Sequence, residues 1–331
     1  RLMWLQKQWY KARLHPLLFL LTPLSLVFWL VTNLRRSFYA FGLMSRYKAD
    51  VPVIVVGNIS VGGTGKTPMV VALSQWLKDE GWNPGIISRG YGAKGPFPYE
   101  VLDSDSPEKA GDEPLLMRRR TGCPVVIAPK RAQAAKLMAE QHPKVDVIIC
   151  DDGLQHYALK RDIELIMIDA ERGTGNGWLL PAGPLREGPW RLKGADWVIS
   201  NYGRHAFARH VVDVEPGNWY RVDNNEQVAL KTESKFNAVA GIGYPQRFFN
   251  SLIEQGIELE NSQSFADHHA FSQQDFSNLA SNPILMTEKD AGKCQSFAQA
   301  DWYYQTIEAK LPEVMKTNLL AELERKKNGH R

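Results

Sequence analysis

The densest run of chemistry-bearing residues lies between Val53 and Pro68, where an apolar stretch, VIVV, passes into GNISVGGTGKTP. Each part has a task if the loop holds a chain of phosphates. Gly62, Gly63 and Gly65 let consecutive backbone N–H groups curl around phosphate oxygens, with Ser60 and Thr64 in the same turn. Lys66 sets a cation against the terminal phosphates, and the Thr67 hydroxyl is a ligand for Mg²⁺. A helix opening here adds the partial positive charge of its N-terminus, and Pro68 fits the first turn, where a missing N–H costs nothing. The strict phosphate-loop pattern has Gly five residues before Gly65; this chain has Ser60, so the loop is a variant.

A second carboxylate for the metal is expected at the end of a neighbouring strand. The run VDVIICDDG at 145–153 supplies Asp151 and Asp152. Asp169 ends another apolar run and competes, but it also fits an ordinary strand-end turn. Two adjacent acids repel and need a cation beside them, which favours the pair. Guanine reading calls for an Asn-Lys-x-Asp run after a later strand. The corresponding place holds Ile199-Ser200-Asn201-Tyr202-Gly203-Arg204 with no following Asp, which argues against it.

Positioning these residues takes a parallel sheet. Short apolar, β-branched runs at 53–56, 85–88, 125–128, 145–150, 163–168 and 197–200 alternate with helical stretches such as 70–78 and 132–140, the signature of strands buried on both faces. Between 210 and 232 the pattern alternates polar with apolar, predicting antiparallel strands. A smaller α/β unit follows, with an apolar run at 236–240, GIGYP, a helix near 247–255 and a helical tail at 311–326. The expected fold is α/β: a P-loop NTPase-like parallel sheet domain, a second smaller α/β domain, and an N-terminal membrane-associated helix. The expected divisions are 1–48 for the head, 49–205 for the phosphate-loop domain, 206–234 for a β linker and 235–331 for the smaller domain.

The net charge of +4 is unevenly placed. Eight of the 40 Lys and Arg fall in residues 1–49, which have no Asp or Glu, so the other 32 face all 36 acids. A basic head on a mildly acidic body fits an anionic membrane surface and argues against nucleic acid as a partner. Between Arg13 and Arg35 lie 21 residues without a charge. The length suits a spanning helix, but Pro16 and Pro23 interrupt it. The basic flanks and Trp4, Trp9, Tyr10, Trp29 and Tyr39 suit a helix lying in the interface, and no small-residue cleavage site follows. Cys123, Cys150 and Cys294 have no metal-ligand spacing and read as reduced thiols of a cytosolic compartment.

Further runs complete a pattern: Ser88-Arg89-Gly90-Tyr91-Gly92, Gly111-Asp112-Glu113-Pro114, DDGLQH at 151–156, PAGPLRE at 181–187, Asp267-His268-His269 and Thr287-Glu288-Lys289-Asp290. In this order, behind an apolar head and a variant phosphate loop, the chain resembles the tetraacyldisaccharide 4′-kinase family. The resemblance implies ATP- and Mg²⁺-dependent phosphorylation of the 4′-hydroxyl of a tetraacylated glucosamine disaccharide 1-phosphate in lipid A biosynthesis, at the cytoplasmic face of the inner membrane. The implied partners are a glycolipid and an anionic membrane surface, with no obligate protein partner readable. It implies Asp112 as the carboxylate that takes the hydroxyl proton, assisted by a histidine of Asp-His-His, with His268 favoured over His269. It places Tyr91, Arg186 and Glu187 on the substrate side and His156 beside the metal acids. Arg89 and Arg131 are candidates to meet phosphates or are simply solvated cations; Arg131 is counted with the substrate residues. Lys289 and Asp290 have no assigned role beyond an ion pair.

Two other classes compete. A P-loop switch or chaperone NTPase would carry a water-positioning residue and a partner signature, and neither is visible. A membrane scaffold with a degenerate nucleotide site is at odds with an intact Gly65-Lys66-Thr67 and Asp151.

Overall fold

The computed structural model describes residues 2–11, 14–231, 234–279 and 282–330. Of the basic head, Arg1 and Arg13 lie outside the described residues. The head forms α1 (Leu2–Trp9), α2 (Pro16–Phe19) and α3 (Thr22–Ala40). Each proline of the apolar run stands in the first turn of a helix, so together they divide the run in two. Among the described residues no helix is long and apolar enough to cross a membrane. On α3, Ser25 is buried: its hydroxyl donates to the Leu179 carbonyl at 2.9 Å and accepts from the Ala182 amide at 3.0 Å. Leu20, Leu24, Val27, Leu30 and Val31 stay exposed.

The first sheet contains β1 (Val53–Gly57), β2 (Pro84–Ser88), β3 (Tyr99–Glu100), β4 (Val125–Ile127), β5 (Val147–Asp151), β6 (Ile163–Asp169), β7 (Trp197–Asn201) and β8 (His210–Val211), in the order β3-β4-β2-β5-β1-β6-β7-β8. Every pair is parallel except β3 with β4. Its helices are α4 (Lys66–Asp79), α5 (Pro107–Ala110), α6 (Asp112–Thr121), α7 (Arg131–Gln141) and α8 (Trp190–Lys193). The apolar runs anticipated as strands fall on β1, β2, β4, β5, β6 and β7, and their composition has a packing cause. Ile54 and Val56 join one buried layer with Met69, Leu73 and Leu77 of α4, whereas Val53 and Val55 join the other with Ala134 and Met138 of α7. Both faces are covered, so neither tolerates polar residues.

The second sheet, ordered β10-β9-β14-β13-β11-β12, contains β9 (Asp213–Arg221), β10 (Gln227–Val228), β11 (Phe236–Ala240), β12 (Leu259–Ser264), β13 (Ile284–Thr287) and β14 (Trp302–Lys310). Its helices are α9 (Pro245–Glu254) and α10 (Glu288–Cys294), and α11 (Glu313–His330) ends the chain. The segment expected as a β linker is divided between the sheets. β8 pairs in parallel with β7, while β9 pairs antiparallel with β10 and β14. The helical tail returns to the first sheet: Met315, Leu319 and Leu323 of α11 are buried in one cluster with Leu73 and Leu77 of α4.

Leu319 is fully buried in that cluster. Leu319→Ala is expected to lower the free energy of unfolding by about 2–5 kcal/mol, measured by urea denaturation. A change below about 1 kcal/mol would mean that the tail does not close the core.

Candidate active site

Parallel strands deliver their C-terminal loops to one edge, so the order β2-β5-β1-β6-β7 brings the loops after Ser88, Asp151, Gly57, Asp169 and Asn201 side by side. The glycine-rich loop leaves β1 and enters α4 at Lys66, with Thr67 and Pro68 in the first turn. Asn58, buried, donates to the Thr64 hydroxyl at 2.9 Å, and Asn201 donates to the Thr64 carbonyl at 2.8 Å. Gly65 has φ +73°, and a methyl there would lie 2.2 Å from the Asn201 amide nitrogen, so only glycine fits. The PAGPLRE loop runs against Ser60: the Val61 amide donates to the Pro184 carbonyl at 2.8 Å, and the Arg186 amide to the Ile59 carbonyl at 2.7 Å. The head reaches the same loop, since the Tyr10 hydroxyl donates to the Val61 carbonyl at 2.8 Å.

Asp151 and Asp152 stand where β5 ends, and their environments differ. The Asp152 carboxylate receives Arg186 at 3.0 Å and lies 3.5 Å from the Lys66 ammonium. Burial alone would raise its pKa, but Lys66 and Arg186 outweigh it and hold the carboxyl far below the usual range. Asp151 is 2% exposed. One oxygen accepts from Ser88 at 3.0 Å; the other, Oδ1, is buried without a partner. Burial, together with the charges of Glu113 and Asp152, pushes this carboxyl well above the usual carboxylate range. An orphaned carboxylate oxygen next to a second acid is a fit for a hard cation. Among the described residues no group of three or more His, Cys, Asp or Glu side chains forms a metal cage, but Mg²⁺ commonly takes one or two carboxylates and fills its other positions with phosphate and water.

Arg131 departs from its expected place on the substrate side. It is 1% exposed, and its guanidinium donates to the carbonyls of Ala128 and Asp151, both at 3.1 Å, and of Asp152 at 3.4 Å. Its work is to fix the backbone that carries the acids. Glu187 also turns inward, accepting from Gln155 at 2.9 Å and Tyr157 at 2.7 Å. Arg186 points at Asp152, so the neighbours Arg186 and Glu187 face different surroundings. His156 lies in the loop after the acids; burial, with Arg131 and Arg89 nearby, lowers its pKa to about 3 and keeps it neutral. Asp169 accepts from the amides of Glu171 and Arg172 and pairs with Arg247 at 2.8 Å, a strand-end turn with an added ion pair from α9.

Asp112 opens α6 after Gly111, whose φ of +85° and 2.9 Å approach of an added methyl to the Tyr91 carbonyl exclude a side chain. From the second sheet, the loop after β12 and helix α10, which follows β13 directly, meet it. His268 places Nδ1 3.0 Å from Asp112 Oδ2, and the exposed Tyr91 ring lies 4.6 Å from the imidazole. His269 turns away: its ring stacks on Phe265 at 4.6 Å and its Nε2 lies 3.3 Å from Asp275. The Lys289 and Lys293 ammonium groups lie 3.7 and 3.6 Å from Asp112. Burial works to raise the Asp112 pKa, but the His268 hydrogen bond and the two lysines prevail and hold it at about 2. The two sheets meet directly here: a methyl on Gly243 would lie 3.2 Å from the Gly63 amide nitrogen and 3.4 Å from Asp267 Oδ2. Lys289 and Lys293 received no site role from sequence, although their i,i+4 spacing on a helix is a signal that both face one side.

The family model described as tetraacyldisaccharide-1-P 4′-kinase matches residues 17–324. The tetraacyldisaccharide 4′-kinase of Idiomarina loihiensis is 99% identical over 329 residues, covering 99% of this chain and 100% of that protein. That of Shewanella amazonensis is 46% identical over 96% of this chain and 95% of its own length. Among solved structures, LpxK from Aquifex aeolicus in complex with ATP matches with a TM-score of 0.77 at 30% identity, covering 94% of this chain and 99% of that one.

The depressed Asp112 pKa is a stability contribution present above about pH 4 and lost as pH falls toward 2. Asp112→Asn is therefore expected to cost about 2 kcal/mol at pH 6, and the gap to wild type should shrink by roughly half near pH 3, read from urea unfolding at each pH. A gap independent of pH would contradict the pairing.

Proposed function

This chain belongs to the tetraacyldisaccharide-1-P 4′-kinase family, and on that premise we propose how its residues divide the work of a lipid A kinase. The reaction is transfer of the γ-phosphate of ATP to the 4′-hydroxyl of a tetraacylated disaccharide 1-phosphate. The acceptor oxygen bonds to the γ-phosphorus as the bond to the β–γ bridging oxygen breaks, ADP leaves with that electron pair, and the hydroxyl proton passes to a base. Lys66 and the amides of residues 60–67 act as a P-loop that holds the triphosphate. Thr67, Asp151 and Asp152 are the residues that would hold Mg²⁺, which when bound neutralises charge on the phosphate oxygens. Asp112 is the base, and His268 holds and orients its carboxylate. What supports this reading is that Lys66, the two acids and the Asp112–His268 pair lie on adjoining loops of two sheets that touch at Gly63 and Gly243.

A carboxyl held at about 2 is a weak base. Phosphoryl transfer tolerates this, because its transition state is loose and catalysis is mostly positioning. Tyr91 and Arg186 line the acceptor side of the cleft, whereas Glu187 and Arg131 support it from beneath. The exposed apolar face of α2 and α3, with Arg35 and Arg36 beside it, seats the head on an anionic membrane surface where a lipid acceptor is available.

If Asp112 and His268 act as a unit, each alanine variant should lower kcat by about 10²–10⁴-fold, and the double variant by little more than the worse single one. Fully additive losses in single-turnover assays would separate the two roles. The head reading has its own test. Replacing Arg35 and Arg36 with Gln should weaken binding to phosphatidylglycerol-containing vesicles by about 1 kcal/mol per charge, less in high salt. Co-sedimentation unchanged at low salt would remove the membrane assignment.

A further inference from the structure

Lys289 occupies a position that the transfer reaction does not by itself require. It follows β13 at the start of α10, where the helix end is locked. Thr287 caps it by accepting from the Asp290 amide at 3.2 Å, and the buried Asp290 carboxylate accepts from the Thr287 hydroxyl at 2.7 Å and the Gly241 amide at 2.9 Å. From this fixed base the Lys289 ammonium reaches Asp267 at 3.1 Å, Glu113 at 3.2 Å, His268 Nε2 at 3.4 Å and Asp112 at 3.7 Å. Two elements, α6 and the loop after β12, converge on one cation, and both members of the proposed base pair are among its neighbours.

We propose that Lys289 is a positioning residue of the phosphoryl-transfer site, which fixes His268 in the neutral tautomer whose Nδ1 proton points at Asp112. An ammonium group has three donors and no acceptor, so it approaches a ring nitrogen favourably only where that nitrogen presents a lone pair. Nε2, 3.4 Å from Lys289, is then the bare nitrogen. The ring proton is left on Nδ1, where it donates to Asp112 at 3.0 Å. An imidazolium would instead set an N–H against the ammonium.

The charges facing His268 are Asp112 from α6, Asp267 from its own loop, 3.9 Å from Nε2, and Lys289 from α10, with the Tyr91 ring tilted beside it; Glu113 and Lys293 stand behind them, paired with Lys289 and Asp112. Burial lowers the histidine pKa, but the Asp112 hydrogen bond and the charges of Asp112 and Asp267 prevail and raise it above the usual value; Lys289 is the cation that limits this rise. Burial works against the Lys289 charge, but Glu113, Asp112 and Asp267 outweigh it and keep the ammonium charged across the working pH range. Lys289, 3.4 Å from Nε2, works against the rise in the histidine pKa and favours the neutral ring with Nε2 bare.

This inference rests on the assignment of Asp112 and His268 as the base pair, and its test separates the two. Nitrogen-15 NMR of the histidine rings in the full chain, without substrates, is expected to show Nδ1 protonated and Nε2 bare in wild type. Lys289→Met should raise the His268 pKa by about one pH unit or more and mix the tautomers, while Lys289→Arg should keep both close to wild type. The acid limb of the kcat–pH profile should move up with the NMR value in Lys289→Met. An unchanged His268 pKa and tautomer in a folded Lys289→Met variant would overturn the role of Lys289. An NMR shift without a shift of the acid limb would leave the tautomer control standing and count against His268 as part of the base pair. If Lys289→Met fails to fold, a wild-type spectrum with Nε2 protonated is by itself enough to overturn the proposal.

Discussion

Two adjacent carboxylates at the end of β5, one of them fully buried, are the constraint around which this molecule is arranged. A buried charge without a counterion is among the most costly features a protein can hold, and it persists only where cations or hydrogen bonds compensate it. Asp152 finds Lys66 and Arg186. Arg131 braces the backbone of both acids, and Ser88 satisfies one oxygen of Asp151. The remaining oxygen has no protein partner, and the carboxyl is accordingly driven toward neutrality. The strand order serves the same arrangement, because β5 lies between β1, which ends at the glycine-rich loop, and β2, which ends at Ser88.

The second sheet completes what the first begins. Asp112 belongs to a helix of the first sheet, but His268 comes from the loop after β12 and Lys289 and Lys293 from α10 of the second. Other ties span the same junction. Arg247 of α9 pairs with Asp169 and Glu171 and stacks 3.6 Å over Tyr202, and Arg120 of α6 pairs with Glu288 at 2.8 Å. Partly buried guanidinium–carboxylate pairs of this kind contribute geometry more than net stability. The larger apolar link is α11, which leaves the second sheet and packs into the core of the first.

Much of this was legible in the residues because its causes are local. Strands covered on both faces must be apolar throughout, so β1, β2, β5 and β6 announce themselves, and a glycine-rich turn before Lys-Thr has few other uses. What escaped depends on contacts distant in sequence. Nothing local tells that His210 and Val211 extend the first sheet while Asp213 begins a strand of the second. Arg131 reads as a free cation until the fold buries it. His268 and His269 are indistinguishable in a loop; the positive φ of His268 sends the two rings in different directions, one to Asp112 and one to Phe265. Pro16 and Pro23 were visible as interruptions, and their first-turn positions show why the apolar run forms two helices.

The central claim is that the buried acid pair exists to hold a cation together with the nucleotide. The direct measurement is the dissociation constant of ATP, by calorimetry near pH 8, with and without Mg²⁺, for wild type and Asp151→Asn. The account predicts that Mg²⁺ tightens ATP binding to wild type by tenfold or more, about 1.4 kcal/mol, and that Asp151→Asn loses most of this dependence while keeping its affinity for metal-free ATP. Equal Mg²⁺ enhancement in the two proteins would contradict it.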